Sequence, residues 1–202
     1  ESFEKAVNDI SFVLNGQTIR EVMYEFITRD GTTKFLETSI SPITHNEQIV
    51  GLITVARDIT ERKRIEESLK ESETLYRSIF ENATEGIYRT TKEGRFLMAN
   101  PAFISMLGYS SLEELKTTIT DISSQLYVNP EDRQRIIECL EKDGIVRGYE
   151  TRFYRKDGTY IWVSINMRAI YDKKGNFLYY EGIDTDITER KEMEKQLEVE
   201  QE

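Results

Sequence analysis

The sequence predicts an α+β fold: one antiparallel sheet with short helices on one face, plus connecting amphipathic helices. Three observations carry this. Residues 161–169 alternate cleanly, with Ile161, Val163, Ile165, Met167 and Ala169 on one side and Trp162, Ser164, Asn166 and Arg168 on the other. A period of two over that length marks a half-buried antiparallel strand. Around it, the signals run as two short strands, several short helices and a three-stranded meander, an order that segregates helices to one face of a sheet. The third observation is an internal repeat. Asp58-Ile59-Thr60-Glu61-Arg62-Lys63 recurs as Asp186-Ile187-Thr188-Glu189-Arg190-Lys191, 128 positions on. Arg29-Asp30-Gly31-Thr32 answers Lys156-Asp157-Gly158-Thr159, and Ile65 and Leu69 answer Met193 and Leu197. The period is too long for a solenoid, so the chain reads as a tandem of domains.

Each element has its own local reason. In 1–60, Phe3, Val7, Ile10 and Leu14 fall at helical spacing, and strands are expected near 20–29, 32–43 and 49–58. The first two strands and the short helices of the pattern have no counterpart there, so 1–60 reads as the C-terminal half of a domain. Residues 61–80 contain no Gly or Pro and predict a linking helix. The complete copy spans 75–189. Strands at 86–91 and 95–99 flank the turn Lys92-Glu93-Gly94. Asn100-Pro101 then opens a helical turn, and Ser110-Ser111-Leu112-Glu113 has the form of a capping box. Asn129-Pro130-Glu131-Asp132 starts a helix whose apolar face is Ile136, Ile137 and Leu140, and which stops near Asp143-Gly144. Strands at 148–156, 159–171 and 177–186 follow, and 190–202 begins an output-linking helix.

Composition narrows the function. The 202 residues carry a formal charge of −10, with 27 Lys+Arg against 37 Asp+Glu and no basic stripe. That argues against a nucleic-acid partner and against membrane contact by this segment. One Cys and one His exclude a disulfide framework and a Cys/His zinc cluster, and fit a reducing, cytoplasmic setting. No apolar run approaches the ~20 residues of a membrane span. A phosphate-cradling glycine loop, a nucleophile elbow and a spaced metal-ligand set are all missing from the sequence, so it offers no catalytic constellation.

Several short motifs converge in order and spacing: Asn100-Pro101-Ala102-Phe103, Leu107-Gly108-Tyr109-Ser110, Asn129-Pro130-Glu131-Asp132-Arg133, Lys156-Asp157-Gly158-Thr159 with Trp162, and the closing Asp186-Ile187-Thr188-Glu189-Arg190. With these the sequence resembles the PAS family of sensory domains, as tandem PAS/PAC units of a bacterial or archaeal signalling protein, most plausibly a sensor histidine kinase of a two-component system. The likeness covers about 75–190 fully and 1–62 as a C-terminal half. It implies a five-stranded antiparallel sheet, a ligand pocket between sheet and helices, an output domain further along the same protein, and signalling by rearrangement of a homodimer rather than by catalysis.

The resemblance directs attention to particular residues. Pocket walls would be Tyr149, Thr151 and Phe153 from one strand, Val163, Ile165 and Met167 from the next, and Asp184 from the last, closed by Ile136 and Leu140 from the helix. Asp184 stands two before the closing Asp, where flavin-binding members place a pocket-facing Gln. A carboxylate there must be paired, hydrogen-bonded or protonated. It reads equally as an anchor for a small ligand and as a local structural hydrogen bond; the first copy has Ala56 instead. No cofactor is named by these residues, and two are argued against. The complete copy has no His for a His-ligated haem, and His45 lies in the expected turn Thr44-His45-Asn46-Glu47. The stretch 117–127 lacks the Cys of a flavin-cysteinyl photoadduct, and Cys139 reads as a packing residue on a partly buried helix. Trp162 is expected on the outer face of the sheet or at a dimer contact. Finally, Ile65, Leu69, Ser72, Tyr76 and Ile79 form a seam of period 3.5 that restarts at Met193 and Leu197, as in paired helices. The leading reading is a ligand-binding sensor module that relays its state through dimeric helices. The alternative is a ligand-free dimerisation and transmission module with a filled core.

Overall fold

The protein's structure, a computed structural model, describes residues 2–200, and of these the side chains of 4–199. The chain divides into two compact units, 1–75 and 76–202. No helix among the described residues is long and apolar enough to cross a membrane.

The first unit contains α1 (Ser2–Leu14), β1 (Ile19–Ile27), β2 (Thr33–His45) and β3 (Gln48–Asp58), and α2 (Thr60–Asn82) leaves its sheet. The three strands are antiparallel in the order β1-β2-β3. Two expectations change here. Asn46 and Glu47 both have positive φ, so the β2–β3 turn is a two-residue hairpin, and His45 is the last residue of β2, paired with Gln48. Helix α1 also presents a different face. Val13 is buried with Ile19 and Ile40, and Asp9 accepts a hydrogen bond from the Tyr24 hydroxyl at 2.6 Å. Val7, Ile10 and Leu14 are exposed, and the Phe3 side chain lies outside the described residues.

The second unit runs β4 (Gly86–Thr90), β5 (Phe96–Ala99), α3 (Pro101–Met106), α4 (Leu112–Thr118), α5 (Ile122–Gln125), α6 (Pro130–Asp143), β6 (Ile145–Tyr154), β7 (Tyr160–Tyr171), β8 (Phe177–Asp186) and α7 (Thr188–Glu200). Its five antiparallel strands lie in the order β5-β4-β8-β7-β6. The first and last strands therefore meet in the middle. Ile161, Val163, Ile165 and Met167 are buried on the inner face with Phe103, Leu107, Leu115, Ile136 and Leu140 from the helices, as the alternation predicts. The capping box sits one residue later than expected. Ser111 caps α4 by accepting from the Glu114 N–H, and the Glu114 carboxylate reaches back to the Ser110 N–H at 2.8 Å. Helix α6 starts at the cap Asn129 with Pro130 in its first position and ends at Gly144, whose φ of +74° suits a residue without Cβ.

The repeated motif makes the same junction twice. Asp58 Oδ1 accepts from the Thr60 N–H at 2.9 Å, and Thr60 Oγ1 accepts from the Phe35 N–H at 3.0 Å. Asp186 Oδ1 accepts from the Thr188 N–H at 2.9 Å, and Thr188 Oγ1 accepts from the Trp162 N–H at 3.0 Å. Each Asp-Ile-Thr thus ends a strand, starts a helix and ties both to the strand before.

Asn100 holds the start of the second unit together. Fully buried, it accepts from the N–H groups of Ile87 and Phe103, each at 2.9 Å, and donates to the Glu85 carbonyl at 2.9 Å. Asn100→Ala removes a cap and strands buried backbone groups, and should cost about 3 kcal/mol. Urea unfolding of the variant should show that loss; a cost under about 1 kcal/mol would mean these bonds are replaced by water.

Candidate functional site

Asp184 occupies the middle of the inner sheet face, opposite Gly86 of β4 and Ile165 of β7, with no exposed surface. Its Oδ1 accepts from the Tyr88 hydroxyl at 3.2 Å, while Oδ2 has no protein partner. Tyr88 reaches it by lying across Gly182: a Cβ there would stand 2.3 Å from the Tyr88 Cζ. Glycine at 182 is what lets that ring lie flat on the strand. The ring is fixed on its other side by Phe103, with centroids 4.4 Å apart.

Arg133 enters the same region from the first turn of α6. It shares a helix face with Ile136 and Leu140 and is buried with them. Its Nη1 lies 3.8 Å from the weak acceptor Met167 Sδ, its guanidinium sits 5.8 Å over the Tyr180 ring, and its Nη2 has no protein partner. Thr90, paired opposite Tyr180, also has a buried hydroxyl without a partner. These groups sense one another. Burial drives the Asp184 carboxyl well above the usual carboxylate range, opposed by the Tyr88 hydroxyl and the Arg133 charge. Burial likewise pushes up the phenols of Tyr88 and Tyr127, with the Asp184 charge adding to the rise and Arg133 opposing it. An acid pushed toward its neutral form, an arginine and two phenols thus lie buried in one core.

The sequence model of the family described as "PAS domain" matches residues 1–61 and 84–189. The chain belongs to the PAS domain family. Similar proteins include the sensor histidine kinase TmoS of Ectopseudomonas mendocina, 29% identical over 73% of this chain and 15% of that one. Sporulation kinase E of Bacillus subtilis is 28% identical over 88% of this chain and 23% of its own length. The chain thus spans less than a quarter of either relative. Among solved structures, an RNA-binding Light-Oxygen-Voltage receptor superposes with a TM-score of 0.51 at 14% identity, over 97% of this chain and 85% of that one, a likeness of fold. The family match and these relatives establish a PAS sensor domain of signalling proteins, with an α+β fold.

Within the PAS core, Ile136, Leu140, Thr151, Phe153, Val163, Ile165, Met167 and Asp184 are all buried. Tyr149 is half-buried. The hydroxyls of Tyr149 and Thr151 are already engaged, donating to Asp132 at 2.9 and 2.7 Å. Asp132, Arg133, Tyr88, Tyr127 and Gly182 are the members that sequence reasoning passed over. Arg133 carried a readable signal, three residues before Ile136 and seven before Leu140. Cys139 is exposed rather than packed. Trp162 lies on the outer face, half-buried, with Arg152 and Lys191 each 5.5 Å from its ring. The seam residues Ile65, Leu69, Tyr76, Ile79, Met193 and Leu197 are exposed on their helices, as is Ser72.

Asp184 binds its proton more tightly in the folded than in the unfolded chain. The stability this lends is complete below about pH 4 and is lost as pH rises toward the raised folded-state value. Asp184→Asn keeps an acceptor for Tyr88 and does not titrate. From about pH 4 upward the variant should therefore gain on the wild type by up to about 1.4 kcal/mol per pH unit. Urea midpoints of both proteins across pH 4 to 7 measure the gap, and a constant gap would put the Asp184 carboxyl in its ordinary range.

Proposed function

We propose that this chain is a regulatory segment of a larger signalling protein, a sensor histidine kinase, and that its PAS domain at 75–189 binds a small molecule in the core. The observation that carries the reading is the pair of buried, unpartnered groups, Asp184 Oδ2 on β8 and Arg133 Nη2 on α6, in the one core of the second unit. Buried polar groups are nearly always satisfied, and a ligand with a few polar atoms satisfies them here. The segment itself is non-catalytic in this reading, and a single Cys suits a cytoplasmic setting. Residues 1–60 are proposed as the C-terminal half of a second PAS domain. Helix, three antiparallel strands and the Asp-Ile-Thr junction follow in the same order as α6, β6, β7, β8 and its junction. Output is proposed to leave through homodimeric pairing of 61–80 and of the helix beginning at 190.

A ligand-free transmission module has one observation in its favour: Phe153, Val163, Ile165 and Met167 pack in a single cluster with the helices. Native mass spectrometry of the purified chain separates the two readings. The sensor reading expects a retained small molecule that denaturation releases, or one regained from a metabolite extract. Neither outcome leaves the filled core.

The paired helix has its own test. Ile65, Leu69, Tyr76 and Ile79 form an exposed apolar seam. One residue inserted between Leu69 and Ser72 turns everything downstream by ~100°, whereas seven nearly restore the phase. In the full-length protein the single insertion should lock or abolish output and the seven-residue insertion should spare it. Equal effects would make the segment a tether.

A further inference from the structure

We infer that the molecule taken by this PAS core is a small organic monocarboxylate, its carboxylate seated between Arg133 Nη2 and Asp184 Oδ2. This rests on the reading of the core as a ligand site and names the class of ligand.

The argument starts from Arg133. A guanidinium stays charged at all physiological pH and carries five donors in a fixed fork. Buried without a counter-charge, it is one of the costliest groups a core can hold. Among the described residues Arg133 makes no ion pair within 4.0 Å; its side chain meets the Met167 sulfur, the Tyr180 ring and the Tyr127 phenol, none of them a counter-charge. The nearest acid in sequence is committed elsewhere, since Asp132 accepts from Tyr149 and Thr151 and lies 3.6 Å from Arg135. Asp184 stands across the compartment with its Oδ1 already on Tyr88. The missing partner of Arg133 is therefore an anion from outside the chain.

The other free groups define which anion. Burial pushes the Asp184 carboxyl well above the usual carboxylate range, toward the form whose free Oδ2 side can donate, and the unpartnered Thr90 hydroxyl, opposite Tyr180, is another donor. A charged donor and hydroxyl donors left free in one core suit a carboxylate, which accepts through two oxygens and binds tightly to a charged donor. One cation compensates one negative charge, which disfavours phosphate and dicarboxylates. An amine would meet Arg133 as a like charge. The remaining walls, Ile136, Leu140, Ile165 and Met167, are apolar and closely packed, so the tail must be short and aliphatic or a keto acid.

The test uses the purified 202-residue chain, with propionate and pyruvate as probes and propionamide, propylamine, succinate and inorganic phosphate as contrasts. Propionate or pyruvate should raise the melting temperature in a concentration-dependent way, and the contrasts should not. Arg133→Met keeps the volume and removes the charge. It should fold at least as well in the absence of ligand, because a lone buried charge is gone, yet bind the carboxylate about 100-fold or more weakly. Asp184→Asn retains a donor and should stay within about tenfold of the wild type, whereas Asp184→Ala should not. A retained or added molecule that is neutral or cationic, or equal stabilisation by propionamide, overturns the carboxylate and leaves the ligand site standing. No retained mass and no response to any probe overturns both. A crystal structure with only ordered water between Arg133 and Asp184, in the presence of the probes, also overturns it.

Discussion

A carboxyl group at the centre of a sheet's inner face has to be accommodated, and much of the second unit is arranged around that need. Asp184 is flanked on β8 by Gly182, whose missing side chain lets Tyr88 lie across the strand and bring its hydroxyl to Oδ1. Tyr88 in turn is held by Phe103 at the start of α3, and α3 by the buried cap Asn100. The chain from acid to glycine to phenol to helix is a single packing problem. Changing one member moves the others, because interiors packed to crystal-like density have no slack.

The compensation stops halfway. Tyr88 satisfies one oxygen of Asp184, and no group among the described residues satisfies the other or the outer nitrogen of Arg133. A fully apolar core of the same shape would be at least as stable. A fully satisfied network would rigidify the core without leaving a binding group free. Half-satisfied groups of opposite character, one on β8 and one on α6, are the feature on which the proposed ligand site rests.

How much of this was legible follows from what each pattern measures. Period-two alternation reports which face of a strand is covered, so the buried face from Ile161 to Met167 could be read directly, whereas the inward position of Asp184 came only from the family resemblance, its apolar neighbour Ile183 being the exposed one. Cap and turn signals place boundaries to within a residue or so, which is why the capping box moved from Ser110 to Ser111 and His45 moved from turn to strand. Apolar spacing in α1 marks a face with affinity for cover, but the sheet of the first unit contacts the neighbouring stripe through Asp9 and Val13. Arg133, though in phase with Ile136 and Leu140, was passed over for a different reason. Charged residues are rarely fully buried, so a hydrophobic pattern skips them even when they sit in phase with the buried stripe. Tyr88 reaching over Gly182 is a tertiary fact, made by pairing residues 94 positions apart, and no local pattern contains it.

The core also has a short physical route to its exit. Two residues after Asp184, Asp186 accepts from Thr188, whose hydroxyl holds the Trp162 N–H on β7, so α7 starts on the two strands that carry Asp184 and its neighbour Ile165. A second tie runs along β6. Tyr149 and Thr151 face inward to Asp132, next to Arg133, while Glu150 between them faces outward to Arg190 and Lys191 of α7, at 2.6 and 2.7 Å. Whatever shifts Arg133 or Asp184 thus acts on strands to which the first turn of α7 is fastened. In the first unit the junction is the same, with Thr60 on Phe35, but Ala56 stands where Asp184 does and offers no polar group. The repeat thus keeps the tie between strand and outgoing helix in both copies and the buried acid in one, so the two features are structurally independent.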